Sequence, residues 1–432
     1  MIVLGAQVEG RTADVRIRDE RIAEIGRLHP RPGETVLEAR GGALLPGLHD
    51  HHIHLLSLGA AASSVRCGPP EVTDLDGLAT ALRAAPGKWV RGIGYHESVA
   101  GVLDRASLDR LVPGRPVRIQ HRGGALWMLN SRALAALGLP DHETGQFWRQ
   151  DALIRERLGA QEPPDVGAVG RRLLSLGITG LTDATPHLPD DAITLLTALP
   201  QRLHLLGAPS GAVLPDGTTA GPHKILRPDH QPPEWDDLHA EVSQAHAAGR
   251  AVAIHAVTRE SLVLALAVLA DVGPLPGDRI EHAALVGEDM IPLLASTGVV
   301  VVTQPGFVTE RGAQYRRDVP AGEHADLYRY ASLRRGGVPV VPSSDAPFAS
   351  EDPWRTIAAA ARRDLSPDER VSPREALAGM LTPLEDPAAP ARRVAVGAQA
   401  DLCLLHVPLD EALSTLDSEL VAATVCRGRL YP

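Results

Sequence analysis

The chain has 432 residues, 43 basic against 53 acidic side chains and a net charge of −10. It is long enough for a large barrel domain, and its acidic balance without a basic block argues against nucleic acid or an anionic membrane as partner. The N-terminal stretch has no basic segment ahead of a long apolar one, no apolar run is long enough for a membrane span, and three scattered cysteines (Cys67, Cys403, Cys426) suggest neither disulfides nor a cysteine zinc site. A cytoplasmic, enzyme-sized protein is the expectation.

In chain order, short apolar pieces at 2–4, 13–17 and 22–25, split by charged or glycine turns, read as strands. The run 44–54, Leu44-Leu45-Pro46-Gly47-Leu48-His49-Asp50-His51-His52-Ile53-His54, reads as the first strand of a parallel α/β sheet. Residues 58–164 carry their own pattern, with strands at 89–95 and 117–120 and helices near 107–111 and 130–137, and read as an insertion after that strand. A helix at 166–176 follows, then strands at 180–183, 202–206, 223–226, 251–255, 279–282, 299–303 and 338–341, with a polar helix at 234–248 that stops at Gly249. Eight strands with intervening helices predict a (β/α)8 TIM barrel. The pieces 401–405, 421–425 and 429–431 repeat the strand texture of the N-terminus. The expected organisation is a small β-sandwich domain from 1–45 and 388–432, a hydrolase barrel over 46–387, and an inserted α/β segment at 58–164 near the barrel mouth.

Side chains two apart on a strand share a face. The first strand therefore offers two His-x-His pairs facing opposite ways, His49 with His51 and His52 with His54. The second pair is favoured because it lies nearer the C-terminal end, where barrel enzymes keep their chemistry. Lys224 sits in strand four, His255 and His282 end strands five and six, and Asp345 follows strand eight. Neutral imidazoles with a carboxylate are ligands for zinc-like ions. Lysine occurs only at Lys88 and Lys224, and arginine cannot shed its proton as a lysine can. Each residue has an ordinary reading alone: His255 as a core histidine, His282 paired with Glu281, Asp345 as a cap or turn residue, Lys224 reaching to solvent. Their placement at the same end of their strands points to a metal site. Candidate substrate walls are Tyr95, His121, Arg122 and Trp127 in the insertion, with Phe307 and Arg311 after strand seven; Arg122 or Arg311 suits a bidentate carboxylate.

The motifs Pro46-Gly47-x-x-Asp50-x-His52-x-His54, Gly177-Ile178-Thr179 leading to Asp183, Ile254-His255-Ala256, Arg279-Ile280-Glu281-His282-Ala283, Thr303-Gln304-Pro305 and Ser343-Ser344-Asp345-Ala346-Pro347 resemble the amidohydrolase superfamily. Within it the chain is similar to the YtcJ-like group, amidohydrolase family 3, which includes N-substituted formamide deformylases. The resemblance covers nearly the whole chain. It implies a metal-dependent hydrolase cleaving a non-peptide C–N bond (amide, formamide or cyclic amide) of a small molecule. It also implies His52 and His54 on a deeper metal, His255 and His282 on a second, Lys224 as a carboxylated bridge, and Asp345 as ligand and general base. One or two divalent ions, Zn2+ by expectation, follow from it. Asp50 would be a supporting neighbour. A homodimer is left open.

Three places depart from the family pattern. Gly124-Ala125 stands where Gly-His is common, Val257-Thr258-Arg259 where strand five usually continues Gly-Asp, and Arg227-Pro228-Asp229 where the lysine is usually followed by Asp-Gly. These positions lie near the substrate side and leave the substrate open. Two alternatives are a mononuclear-metal deaminase of a heterocyclic amine and a catalytically inactive amidohydrolase-like scaffold. Thr258, standing where such deaminases carry Glu, tells against the first. The complete ligand set tells against the second.

Overall fold

The structure is a computed structural model and describes residues 1–159, 163–227 and 234–431. Pro228 and Asp229 lie outside the described residues. The apolar run at 44–54 serves two sheets rather than forming one strand. Leu44–Pro46 pairs antiparallel with Leu402–Leu405, whereas Leu48–Ile53 pairs in parallel with Ile178–Asp183. Gly47 makes the break, because a Cβ there would stand 2.2 Å from Thr179 Oγ1.

The N-terminal strands Ile2–Val8, Arg11–Arg18 and Arg21–Gly26 form a four-stranded sheet with the short Val36–Glu38. A second four-stranded sheet joins Leu44–Pro46 and Leu402–Leu405 to Val421–Cys426 and Arg429–Tyr431. One apolar core serves both, with Val3, Val15 and Ile17 from the first and Leu44, Leu402, Leu404 and Val425 from the second.

Eight parallel strands stand close to where the sequence puts them: Leu48–Ile53, Ile178–Asp183, Arg202–Leu205, His223–Ile225, Val252–Ala256, Arg279–His282, Val300–Thr303 and Val340–Pro342. The first three form one parallel arc, extended by Thr218–Ala220, and the last five form another. Past the end of the eighth strand, Asp345 N–H donates to His52 O at 2.8 Å and His54 N–H to Ala346 O at 2.9 Å, tying eighth to first. The result is a TIM-barrel-like α/β fold. Several strands are buried along their whole length, Ile178–Asp183 and Val300–Thr303 among them, which is why a strand such as Val300–Thr303 reads as an almost continuous apolar run.

Residues Leu56–Asp165 form a separate compact unit. Its five-stranded sheet runs Gln146–Trp148, Leu126–Leu129, Val117–His121, Val90–Tyr95, Val65–Arg66. Leu78, Leu82, Val90, Val117 and Ile119 build its core. Among the described residues no helix is long and apolar enough to cross a membrane.

Candidate metal centre

Strand alternation sorts the four histidines of the first barrel strand. His49 Nδ1 meets Thr382 O at 2.8 Å, and His51 Nε2 meets Thr382 Oγ1 at 2.9 Å. Both rings are buried in packing, and His49 lies over Gly180, where a Cβ would stand 2.3 Å from its ring. His52 and His54 face the other way. Their Nε2 atoms lie 3.4 and 3.2 Å from the same oxygen, Asp345 Oδ1. The His282 ring centroid is 4.8 Å from that of His52 and 4.6 Å from that of His255. One ligand atom each from His52, His282 and Asp345 lies within 4.8 Å of the others. Lys224 is buried within electrostatic reach of Glu281, Arg279 and Asp345. The six residues singled out in the sequence thus converge, although up to 293 positions separate them along the chain (His52 to Asp345).

The electrostatics define what the cluster can hold. Burial holds the His52 imidazole well below its usual range and the His282 imidazole at about 3, so both rings are neutral near pH 7. Burial raises the Asp345 carboxyl, but His52, His54 and His282 outweigh it and hold the group well below the usual carboxylate range. Glu281 is likewise lowered against its own burial, by Arg279 and Lys224. An ionised Glu281 accepts from His52 Nδ1–H. That assigns the His52 tautomer and leaves Nε2 with a lone pair. This lone pair faces the ionised Asp345 Oδ1, and both atoms are buried without a hydrogen-bond partner. Two lone pairs aimed at each other in a buried site fit a cation between them. Lys224 Nζ is a third buried atom without a hydrogen-bond partner. Burial lowers its pKa to about 8, with Glu281 and Asp345 opposing.

Two supporting residues were not singled out by sequence reasoning. Glu281 holds His52 with one carboxylate oxygen and Arg279 with the other, and Arg279 Nη2 donates to His51 O at 2.9 Å. Gln304 Oε1 accepts from His282 Nδ1–H at 2.8 Å, while its amide donates to Ser343 Oγ at 2.9 Å. Such partners fix the tautomer and aim of a metal-binding imidazole. Glu281 directly precedes His282 in the sixth strand and Gln304 directly follows the seventh; that adjacency, and their place in the motifs quoted above, is the signal the sequence carries. Replacing Glu281 with alanine is expected to weaken divalent-ion binding about 10- to 100-fold. Glu281→Gln, which keeps an acceptor for His52, should lose less. Competition with a chelator measures both, and equal affinity in wild type and Glu281→Ala would remove Glu281 from this role.

The backbone is strained where the cluster forms. His282, Ala283 and Asp345 have φ of 72°, 45° and 56°. Non-glycine residues hold such angles only where the surroundings over-determine them, and outliers of this kind gather at functional sites. Asp50 is part of those surroundings. Its carboxylate accepts from the backbone N–H of His52 at 3.2 Å and of Ser344 at 3.1 Å, tying the two ligand-bearing segments together.

The expected substrate walls divide. Phe307 is buried, with the Arg311 guanidinium 4.2 Å from its ring centroid. Tyr95 and Trp127 are core residues of the inserted unit rather than exposed walls. Tyr95 is buried and donates its hydroxyl to Gly101 O at 2.6 Å; the Trp127 indole donates to Asp151 Oδ1 at 2.7 Å. In the same unit His121 Nε2 lies 3.2 Å from the Glu97 carboxylate, and Arg122 N–H donates to Tyr95 O at 2.8 Å.

Imidazole and carboxylate lone pairs thus converge at the C-terminal end of the strands of a TIM-barrel-like fold, an arrangement suited to a divalent metal ion. The chain belongs to the amidohydrolase family, whose model matches residues 35–431. It is 30% identical over 169 residues to the N-substituted formamide deformylase of Arthrobacter pascens, a stretch of 34% of this chain and only 31% of that protein. It is 22% identical to the putative amidohydrolase YtcJ of Bacillus subtilis (strain 168) over 83% of this chain and 82% of the relative. In fold it is similar to an uncharacterized metal-dependent hydrolase from Pyrococcus horikoshii OT3, with a TM-score of 0.74 and 19% identity over 94% of this chain and 97% of the other.

Proposed function

We propose that this protein hydrolyses the C–N bond of a small-molecule amide, formamide or cyclic amide at a centre of one or two divalent ions, with Zn2+ as the preferred ion. The observation that carries the reading is the buried His52 Nε2 facing the buried, ionised Asp345 Oδ1 at 3.4 Å. In this reading His52 and His54 would hold one ion, and His255 and His282 a second. Lys224 would supply oxygen ligands as a carbamate, its neutral amine bonding to the carbon of carbon dioxide and giving up a proton. Burial, which favours the neutral amine, supports this assignment. A bound divalent ion supplies Lewis acidity and lowers the pKa of water to about 7. Asp345 takes the proton of the attacking water and returns it to the leaving nitrogen. Residues 46–387 form the hydrolase barrel with 58–164 inserted, and 1–45 and 388–432 the β-sandwich.

Deamination of a heterocycle is disfavoured by the residues after His255. Thr258 is committed as the N-cap of helix Arg259–Val272, in a reciprocal capping box with Ser261, and Glu260 is exposed. A hydrolysis screen tests the reading. N-formyl and N-acyl amines, cyclic imides, ureides and aminopyrimidines are scored separately for acid and for ammonia released. Acid from an amide or imide is expected. Ammonia from an aminopyrimidine without ring opening would replace this reading with the deaminase.

A further inference from the structure

Arg311 has no part in the chemistry just described, yet its contacts lead to the cluster. Helix Pro305–Glu310 follows the seventh barrel strand, and Arg311 caps it, its N–H donating to Phe307 O at 2.8 Å. The guanidinium lies 4.2 Å from the Phe307 ring centroid, and Nη2 donates to Phe348 O at 2.6 Å. The Phe348 ring in turn lies 5.5 Å from that of His54, edge to face. Phe307 also lies 5.7 Å from Tyr328, whose hydroxyl is 3.3 Å from that of Tyr315. Burial and Tyr315 raise the Tyr328 hydroxyl, and both Arg311 and Asp345 act on it, so Tyr328 stands in the field of both. The chain has only three Phe and five Tyr, and two of each gather here.

Among the described residues no carboxylate lies within 4.0 Å of the Arg311 guanidinium; its neighbour Glu310 accepts from Ser350 N–H at 3.0 Å and interacts with Arg311 only through its charge. A guanidinium stacked on a ring and tied by one nitrogen to a carbonyl keeps a fixed fork of donors. In a chain of net charge −10, a cation oriented this firmly and linked through Phe348 to the His54 ring is suited to an anion that arrives with the substrate. The partly buried Val257, Leu285 and Phe348 in the same patch offer an apolar path beside it.

We propose that Arg311 is a specificity determinant that selects amides carrying a carboxylate, the carboxylate docking on the guanidinium while the C–N bond lies at the metal cluster. This rests on the hydrolase reading above. The test compares an N-formyl ω-amino acid with the N-formyl alkylamine of the same length, in wild type, Arg311→Met and Arg311→Lys. Wild type is expected to favour the carboxylate member about 10- to 100-fold in kcat/KM, mostly through KM, the scale of charge-assisted hydrogen bonds. Arg311→Met should bring that ratio towards one, with Arg311→Lys between. A wild-type ratio at or below one, or an unchanged ratio in Arg311→Met, would overturn the assignment. A second arm separates this inference from the hydrolase reading. Titration calorimetry with an alkyl sulfonate should give binding to wild type and at least 10-fold weaker binding to Arg311→Met at equal metal content. If no amide is turned over, the hydrolase reading fails, and the sulfonate arm still decides Arg311. Equal binding to both proteins, or to neither, overturns it.

Discussion

Asp345→Asn is expected to lower kcat by about 10³- to 10⁴-fold, the upper range for loss of a positioned general base. The substitution isolates the proton-carrying role. Asparagine keeps the size of the side chain and tolerates the left-handed backbone at φ 56° better than alanine would, so the fold and the backbone bond to His52 should persist. It removes the negative charge that His52, His54 and His282 surround. A steady-state rate paired with a melting curve checks the prediction. A loss of less than about 10-fold with the fold intact would mean another group carries the proton.

Lys224→Ala should lower activity at least 100-fold, beyond what residues one step removed from a metal contribute. It should also lower the amount of metal retained. Added short carboxylic acids should restore part of both, because they supply the oxygens that a carboxylated lysine would. Stability should not fall in parallel. The substitution removes a fully buried amine that has no hydrogen-bond partner, a group costly to bury, at the expense of some packing volume. Unchanged activity and metal content would take Lys224 out of the centre.

Much of this was legible in the sequence because barrel geometry turns linear position into spatial position. Lys224, His255, His282 and Asp345 each sit late in or just after an apolar run, and parallel strands bring such ends to one place. The alternation of side chains separated His52 and His54 from His49 and His51 with no knowledge of partners. Glu281 and Gln304 were not legible as supports. Their roles depend on which imidazole lies across the sheet, and His52 and Glu281 are 229 positions apart. The split at Gly47 was hidden because both halves of the run are apolar. Only the approach of Thr179 reveals why a glycine stands between them. In the inserted unit, Val65–Arg66, Leu126–Leu129 and Gln146–Trp148 are too short to show a period, so three of the sheet's five strands went unread. Tyr95 and Trp127 looked like pocket residues because large amphipathic side chains suit both walls and cores. The hydrogen bonds that satisfy their polar atoms in the interior appear only in three dimensions.

The central claim is that the His52–Asp345 cluster holds metal, and metal analysis of the purified protein tests it most directly. After zinc supplementation and removal of free ion, wild type should retain one or two equivalents and His52→Ala should lose them. His51→Gln, altered on the packing face, should retain them. Wild-type protein without stoichiometric metal, or His52→Ala with the wild-type content, would contradict the account.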